Sequence, residues 1–230
     1  MSIIQINNLC KNYGKLQAIN NLSIELNSGQ IVGLVGPNGS GKSSLLRILG
    51  AFDMAYSGEV LINGLKPGLE SRKIVSYLSD KPYISESLRA EQMIKLYSDF
   101  FSDFNQEKAF NMLELFKLKP EQKLKEMSKG MGDKIQVLLT MSRDAKIYLL
   151  DEPISGVDPA SRKIILRSMI EGFSEDALMI VSTHLLNDIE NIIDSVLFLD
   201  SGQIKIKGST DDLREQYGKS INELFEQIFQ

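Results

Sequence analysis

The sequence predicts an α/β fold: a mostly parallel sheet flanked by helices, with an antiparallel β region at its start and an inserted all-helical segment. Three observations carry that expectation. Strand-sized apolar runs, among them IVGLV, IYLL and ALMIVS, recur along the chain. Between them lie stretches whose apolar residues return every three or four positions, as on a helix with one buried face. Residues 82–143 carry the helical spacing only. Strands alternating with helices imply parallel pairing, with ligands at the carboxyl ends of the strands.

Taken in order, IIQINNL partly alternates, and LSIEL and IVGLV are apolar strands on either side of a Gly-containing NSGQ turn. IVGLV runs into glycines and then into KSSLLRILGAF, a helical pattern beginning at Lys42 or just before it. GEVLINGLKPG reads as a short hairpin with turn residues at both ends, and KIVSYLS as a strand. Three helices follow, in ESLRAEQMIKLYSDFF, NQEKAFNMLELFKL and KGMGDKIQVLLTMS, with Pro120 between the last two. Strand texture returns at KIYLLDEP, and Pro159 suits the first turn of the next helix. ALMIVST is a strand, LNDIENII a short helix and VLFLDSGQIKIKG a strand pair. In the closing SINELFEQIF, Ser220 and Glu223 have capping-box spacing, and Ile221, Leu224, Phe225 and Ile228 share one face. The expected organisation is one domain over residues 1–230. Residues 1–81 and 144–230 form its β region and α/β core, and 82–143 its helical subdomain.

A chain of 230 residues can bury a sizeable core, and 43% hydrophobic with 24% charged residues is an ordinary globular balance. The net charge of −4 argues against a broad nucleic-acid footprint, so no nucleic-acid partner is expected. The one cysteine, Cys10, rules out an intramolecular disulfide, suits a reducing compartment and is expected in the core. The start, MSIIQINNLCKNYG, lacks the features of a signal peptide, and no apolar run approaches the roughly 18 residues of a membrane span. The expected location is cytoplasmic, with any membrane attachment made through another protein.

Gly36, Pro37, Asn38, Gly39, Ser40, Gly41, Lys42 and Ser43 form the pattern Gly, four residues, Gly-Lys-Ser, between an apolar strand and a helix. Glycines there let backbone N–H groups converge on phosphate oxygens, and the helix adds the positive end of its dipole. Lys42 is expected to reach the outer phosphates and Ser43 to give a hydroxyl to Mg²⁺, with Ser44 beside them. The fold expected around such a loop is a phosphate-loop NTPase core. KIYLLDEP ends an apolar strand in two acids, Asp151 and Glu152, which is costly unless they face a cation or a polar ligand. Asp151 is expected to hold Mg²⁺, and Glu152 to activate the water that attacks the γ-phosphate. The chain's single histidine, His184, follows the strand ALMIVST.

With these motifs in order, the chain resembles the ATP-binding-cassette ATPases along nearly its whole length. MSKGM, residues 127–131, resembles a variant of that family's LSGGQ signature. SGVDP, residues 155–159, resembles the loop that bears its dimer-contact Asp, here Asp158. Tyr13 precedes Gly36 by 23 residues, where the family places an aromatic that stacks on adenine. His184 stands at the family's switch histidine, which implies a γ-phosphate sensor. The resemblance also implies a dimer in which Ser128, Lys129 and Gly130 reach ATP bound by the opposing subunit. That dimer is either a homodimer or a pair with a related ATPase.

Two departures stand out. Asp80 occupies the position where the family usually carries Gln, and it is a further candidate ligand for Mg²⁺. SKGM is closer to exporter-type signatures, those for peptides, lantibiotics and drugs, than to uptake systems. The implied function is the ATP-hydrolysing motor of a membrane transporter, docked on a separate transmembrane permease through a region near residues 80–100 that holds Tyr83, Ile84 and Leu88. A soluble ATPase of the same family, acting in DNA repair, translation or iron–sulfur assembly, is the alternative.

Overall fold

The computed structural model describes residues 2–80, 85 and 87–229. In chain order the elements are β1 (Ser2–Tyr13), β2 (Leu16–Asn27), β3 (Gln30–Val35), α1 (Lys42–Leu49), β4 (Ser57–Ile62), α2 (Leu69–Arg72) and β5 (Val75–Leu78). Three helices follow, α3 (Ala90–Phe100), α4 (Gln106–Leu115) and α5 (Lys129–Met141). The chain then alternates through β6 (Ile147–Asp151), α6 (Pro159–Glu171), β7 (Leu178–Thr183) and α7 (Leu186–Ile189). It ends with β8 (Ser195–Asp200), β9 (Gln203–Ser209), α8 (Thr210–Tyr217) and α9 (Ile221–Phe229).

Two sheets result, as the α/β reading requires. An antiparallel sheet runs β2-β1-β4, and a six-stranded sheet runs β5-β6-β7-β3-β8-β9. All neighbours in the second are parallel except β8 and β9. Successive strand side chains point to opposite faces, so β6 and β7 feed two cores. Ile147, Leu149, Leu178 and Ile180 pack with Leu45, Leu46, Ile48 and Leu49 of α1 and with the antiparallel sheet. Tyr148, Leu150, Met179 and Val181 pack under the helices of residues 90–171 and under α9. Each such buried side chain contributes roughly 1.5–3 kcal/mol. The central strands are held firmly from both sides, and their carboxyl ends form one rigid edge.

Several local expectations change. GEVLINGLKPG is not a hairpin: β4 pairs along its length with β1, and only an isolated bridge joins Ile62 to Leu65. LNDIENII is helical only through Ile189, and the Glu190 carboxylate that follows accepts the Ile221 N–H at 2.9 Å and so caps α9. Cys10 is only partly buried, with its Sγ accepting from Asn21 N–H, and is not a core residue. The helix α8 was not anticipated. Its first turn is capped by Ser209, whose hydroxyl accepts from the Asp212 N–H at 3.0 Å. The capping box of α9 forms as spaced: Ser220 N–H donates to Glu223, and Glu223 N–H to Ser220 Oγ. Among the described residues, no helix is long and apolar enough to cross a membrane.

Candidate functional site

Strand β3 delivers the chain into the glycine loop, and α1 carries it away. Glycine at two positions is required by the geometry. Gly41 sits at φ +109° against the Ala18 carbonyl, and a Cβ on Gly36 would run into the Leu199 carbonyl. Lys42 is buried at the loop's centre, its Nζ donating to the Gly36 carbonyl at 2.8 Å and the Pro37 carbonyl at 3.1 Å. Burial pushes its ammonium pKa down, while Glu152 and Asp151 pull it up. The loop thus holds the ammonium against its own carbonyls. Ser40 Oγ is the one buried side-chain polar atom without a hydrogen-bond partner among the described residues.

Strands β6 and β7 bring the two acids and the histidine to the same edge, with Asp151 paired to Ser182 in register. Asp151 is 2% exposed, and its Oδ1 accepts the Ser182 hydroxyl at 2.5 Å. Glu152 takes a left-handed backbone, φ +52°, which is unfavourable for a residue with a side chain. Its N–H is held by the Ser182 carbonyl at 3.1 Å and lies 3.2 Å from Ser182 Oγ. That turn aims Glu152 away from Asp151 and toward His184, whose Nδ1 lies 2.9 Å from Glu152 Oε2. Ser182 therefore anchors both acids. Its signal in the sequence is the first of two hydroxyl residues that end an apolar strand, two positions before the histidine.

Tyr13, Asn38, Lys42, Ser43, Ser44, Asp80, Glu152 and His184 line one open cleft of about 510 Å³, to which Gly39 and Gly41 also contribute. Gly36, Pro37 and Ser40 belong to the same loop but do not line the cleft, and Asp151 lies buried below it. Ser128, Lys129, Gly130 and Asp158 stand apart from the cleft lining. Ser128 caps α5 by accepting the Met131 N–H at 3.3 Å, and Asp158 caps α6 by accepting the Ser161 N–H at 3.0 Å. The two caps adjoin, since the Gly156 carbonyl lies about a van der Waals contact from a Cβ built on Gly130. Hydrogen bonding from the Ser161 side chain, and then from its N–H, lowers the Asp158 carboxyl's pKa. Tyr83 and Ile84 lie outside the described residues, and Leu88 is partly buried against the main core.

The oxygens in or under the cleft, from Ser43, Asp151 and Asp80, are the hard donors that Mg²⁺ prefers. No three His, Cys, Asp or Glu among the described residues make a metal cage of their own. That donor set fits an ion whose remaining ligands are phosphate oxygens and water, the usual manner of Mg²⁺.

The model of a family described as ABC transporter matches residues 19–155. The ABC-type transporter ATP-binding protein EcsA of Bacillus subtilis (strain 168) is 31% identical over 229 residues, covering 95% of this chain and 92% of its own. The lantibiotic transport ATP-binding protein SrtF of Streptococcus pyogenes is 28% identical, covering 97% and 99%. A solved ATP-binding subunit of an ABC transporter superposes over 100% of both chains with a TM-score of 0.89 at 26% identity. The chain therefore belongs to the ABC transporter family and is one of its ATP-hydrolysing, ATP-binding subunits.

Proposed function

We propose that this subunit is the motor of a membrane exporter, working as a nucleotide-sandwich dimer docked on a separate permease at the inner face of the cell membrane. The observation that carries the chemistry is the Glu152–His184 contact, in the same cleft as Lys42. Tyr13 stacks on the adenine, and the loop of Gly36, Pro37, Asn38, Gly39, Ser40, Gly41, Lys42, Ser43 and Ser44 cradles the phosphates. Ser43 and Asp151, with Asp80, hold Mg²⁺, which when bound offsets phosphate charge. Glu152 accepts a proton from the attacking water as the bond between the γ-phosphorus and the ADP oxygen breaks. His184 orients the γ-phosphate, and Lys42 stabilises the charge that develops there.

The dimer reading is supported by Ser128, Lys129, Gly130 and Asp158 lying outside the cleft lining of their own chain. They touch ATP when a second copy, or a related ATPase, presents them. Ser128 accepts at its helix cap, which leaves its hydroxyl proton to donate to a phosphate. Docking is supported by a second cleft of about 420 Å³, lined by Phe52, Arg72, Tyr77, Tyr97, Phe101 and Arg143. Its aromatic wall, with Phe52 47% exposed, suits a short helix of a permease. Export is supported by the SKGM signature and by the likeness to a lantibiotic transport subunit.

The test is recovery of tagged chain from gently solubilised membranes of its source cell. A multi-span protein in stoichiometric amount is the expected result. Recovery from the soluble fraction alone, with ribosomal, DNA-bound or assembly partners, would keep the ATPase and end the transporter reading.

A further inference from the structure

The end of β1 carries a charged knot in which the cleft's catalytic groups take no part. Lys11 Nζ lies 2.6 Å from Asp53 Oδ1 and 2.7 Å from the Ala55 carbonyl, and Lys11 is only 4% exposed. Tyr13 donates its hydroxyl to the other Asp53 oxygen at 2.7 Å, while the Lys11 ammonium stands 4.5 Å from the centroid of the same ring. Burial pushes the Asp53 carboxyl's pKa up, but hydrogen bonds from Lys11 and Tyr13 outweigh that and hold it below its usual value. An ammonium is buried this deeply only when it is paired.

The knot joins two elements that meet the nucleotide from different directions. Asp53 lies four residues beyond the end of α1, with its N–H and that of Phe52 donating to the Arg47 carbonyl. The same eight-residue helix, about 12 Å long, begins at Lys42 in the phosphate loop. Tyr13 arrives on β1, in the other sheet. A tyrosine 43% exposed would otherwise exchange rotamers freely. Here its hydroxyl is tethered and its ring is backed by a cation.

We propose that Lys11 and Asp53 are positioning residues for the nucleotide base, holding the Tyr13 ring at a set height and tilt above the phosphate loop. The inference rests on the reading of Tyr13 as the adenine platform. A purine stacked on the ring is then held in register with its own phosphates, and the pair sets how much the base adds to affinity.

The experiment compares calorimetric binding of ATP with that of inorganic tripolyphosphate, which has no base. In the full chain carrying Lys11→Met with Asp53→Leu, no buried charge is left unpaired. ATP affinity is expected to fall about 5–10-fold, within the worth of one stacked base, with tripolyphosphate affinity unchanged. Adding the pair to Tyr13→Ala should cost nothing further, because the pair acts through that ring. Parental ATP affinity, equal loss for both ligands, or full additivity with Tyr13→Ala would overturn the proposal. If the double variant does not fold, Tyr13→Phe removes the tether to Asp53 together with the hydroxyl's contact with Ser44, and unchanged ATP affinity there would overturn the proposal as well. Tyr13→Ala with parental ATP affinity instead removes the platform reading itself, a separate outcome.

Discussion

His184 Nδ1 stands 2.9 Å from Glu152 Oε2, joining the only histidine of the chain to an acid 32 residues earlier. The acid is largely buried and the ring half exposed, so the pair spans the wall and the mouth of the cleft. A neutral ring that gives its Nδ1 proton to Glu152 has only a lone pair at Nε2. To donate to a phosphate from Nε2 it needs a second proton, or it must part from Glu152.

Replacing Glu152 by Gln keeps an oxygen for His184 and removes the proton acceptor. Steady-state turnover should fall about 100-fold or more, within the range of general-base catalysis, while ATP binding persists. Size-exclusion chromatography with ATP should then show an accumulated dimer. Turnover within twofold of the parent would remove Glu152 as the base.

His184→Ala should slow hydrolysis by about 10–100-fold, the order of losing one donor to developing charge. ATP affinity should change much less, since Lys42 and the loop amides remain. Single-turnover quench-flow beside equilibrium binding separates the two, and parental hydrolysis would return His184 to a merely structural role.

Ser182→Ala deletes the hydroxyl that Asp151 Oδ1 accepts and takes one partner from the Glu152 N–H, which keeps the backbone carbonyl. A buried carboxylate that loses a donor costs about 1–3 kcal/mol. A drop of several degrees in melting temperature is expected, along with slower turnover, and Ser182→Thr should recover part of both. Scanning calorimetry and steady-state assays would detect either, and an unshifted melt would mean that water replaces the hydroxyl without loss.

Glu223 supplies a pH test of the last helix. Hydrogen bonds from the Ser220 N–H and hydroxyl hold its carboxyl below the ordinary value. Its stabilisation is therefore full above the carboxylate's unfolded value and is lost as pH falls through the lower folded one. Glu223→Gln can still close the capping box but does not titrate. Melting curves between neutral pH and about pH 3 should show a flatter dependence for the variant. Parallel curves would show that the bond contributes nothing pH-dependent.

What was legible in the sequence was local. The loop around Lys42, the acids after β6 and the cap residues Ser220, Glu223 and Pro159 announce themselves through neighbours a few positions away. Strand type followed from apolar runs, because the central strands are buried on both faces. Pairing was harder to see. Nothing within GEVLINGLKPG says that β4 prefers β1 over its own turn, or that Glu190 will cap a helix 31 residues on. α8 hid because TDDLREQY buries little besides Leu213 and its first residue, leaving a faint helical stripe. Ser182 with Asp151, and Lys11 with Asp53, are contacts over 31 and 42 residues, chosen by sheet register and helix placement.

The in-register pairing of β7 with β6 makes the chemistry a matter of parity. Ser182 faces Asp151 across the ladder, and His184 lies two residues beyond. Removing one residue from the first half of β7 would leave a strand of much the same apolar character between the same neighbours. Each later side chain would nonetheless move to the opposite side of the sheet. Thr183 would then stand opposite Asp151, and Leu185 would take the station of His184. The fold would keep its outline and Asp151 a neighbouring hydroxyl, but the imidazole would be gone from its place beside Glu152.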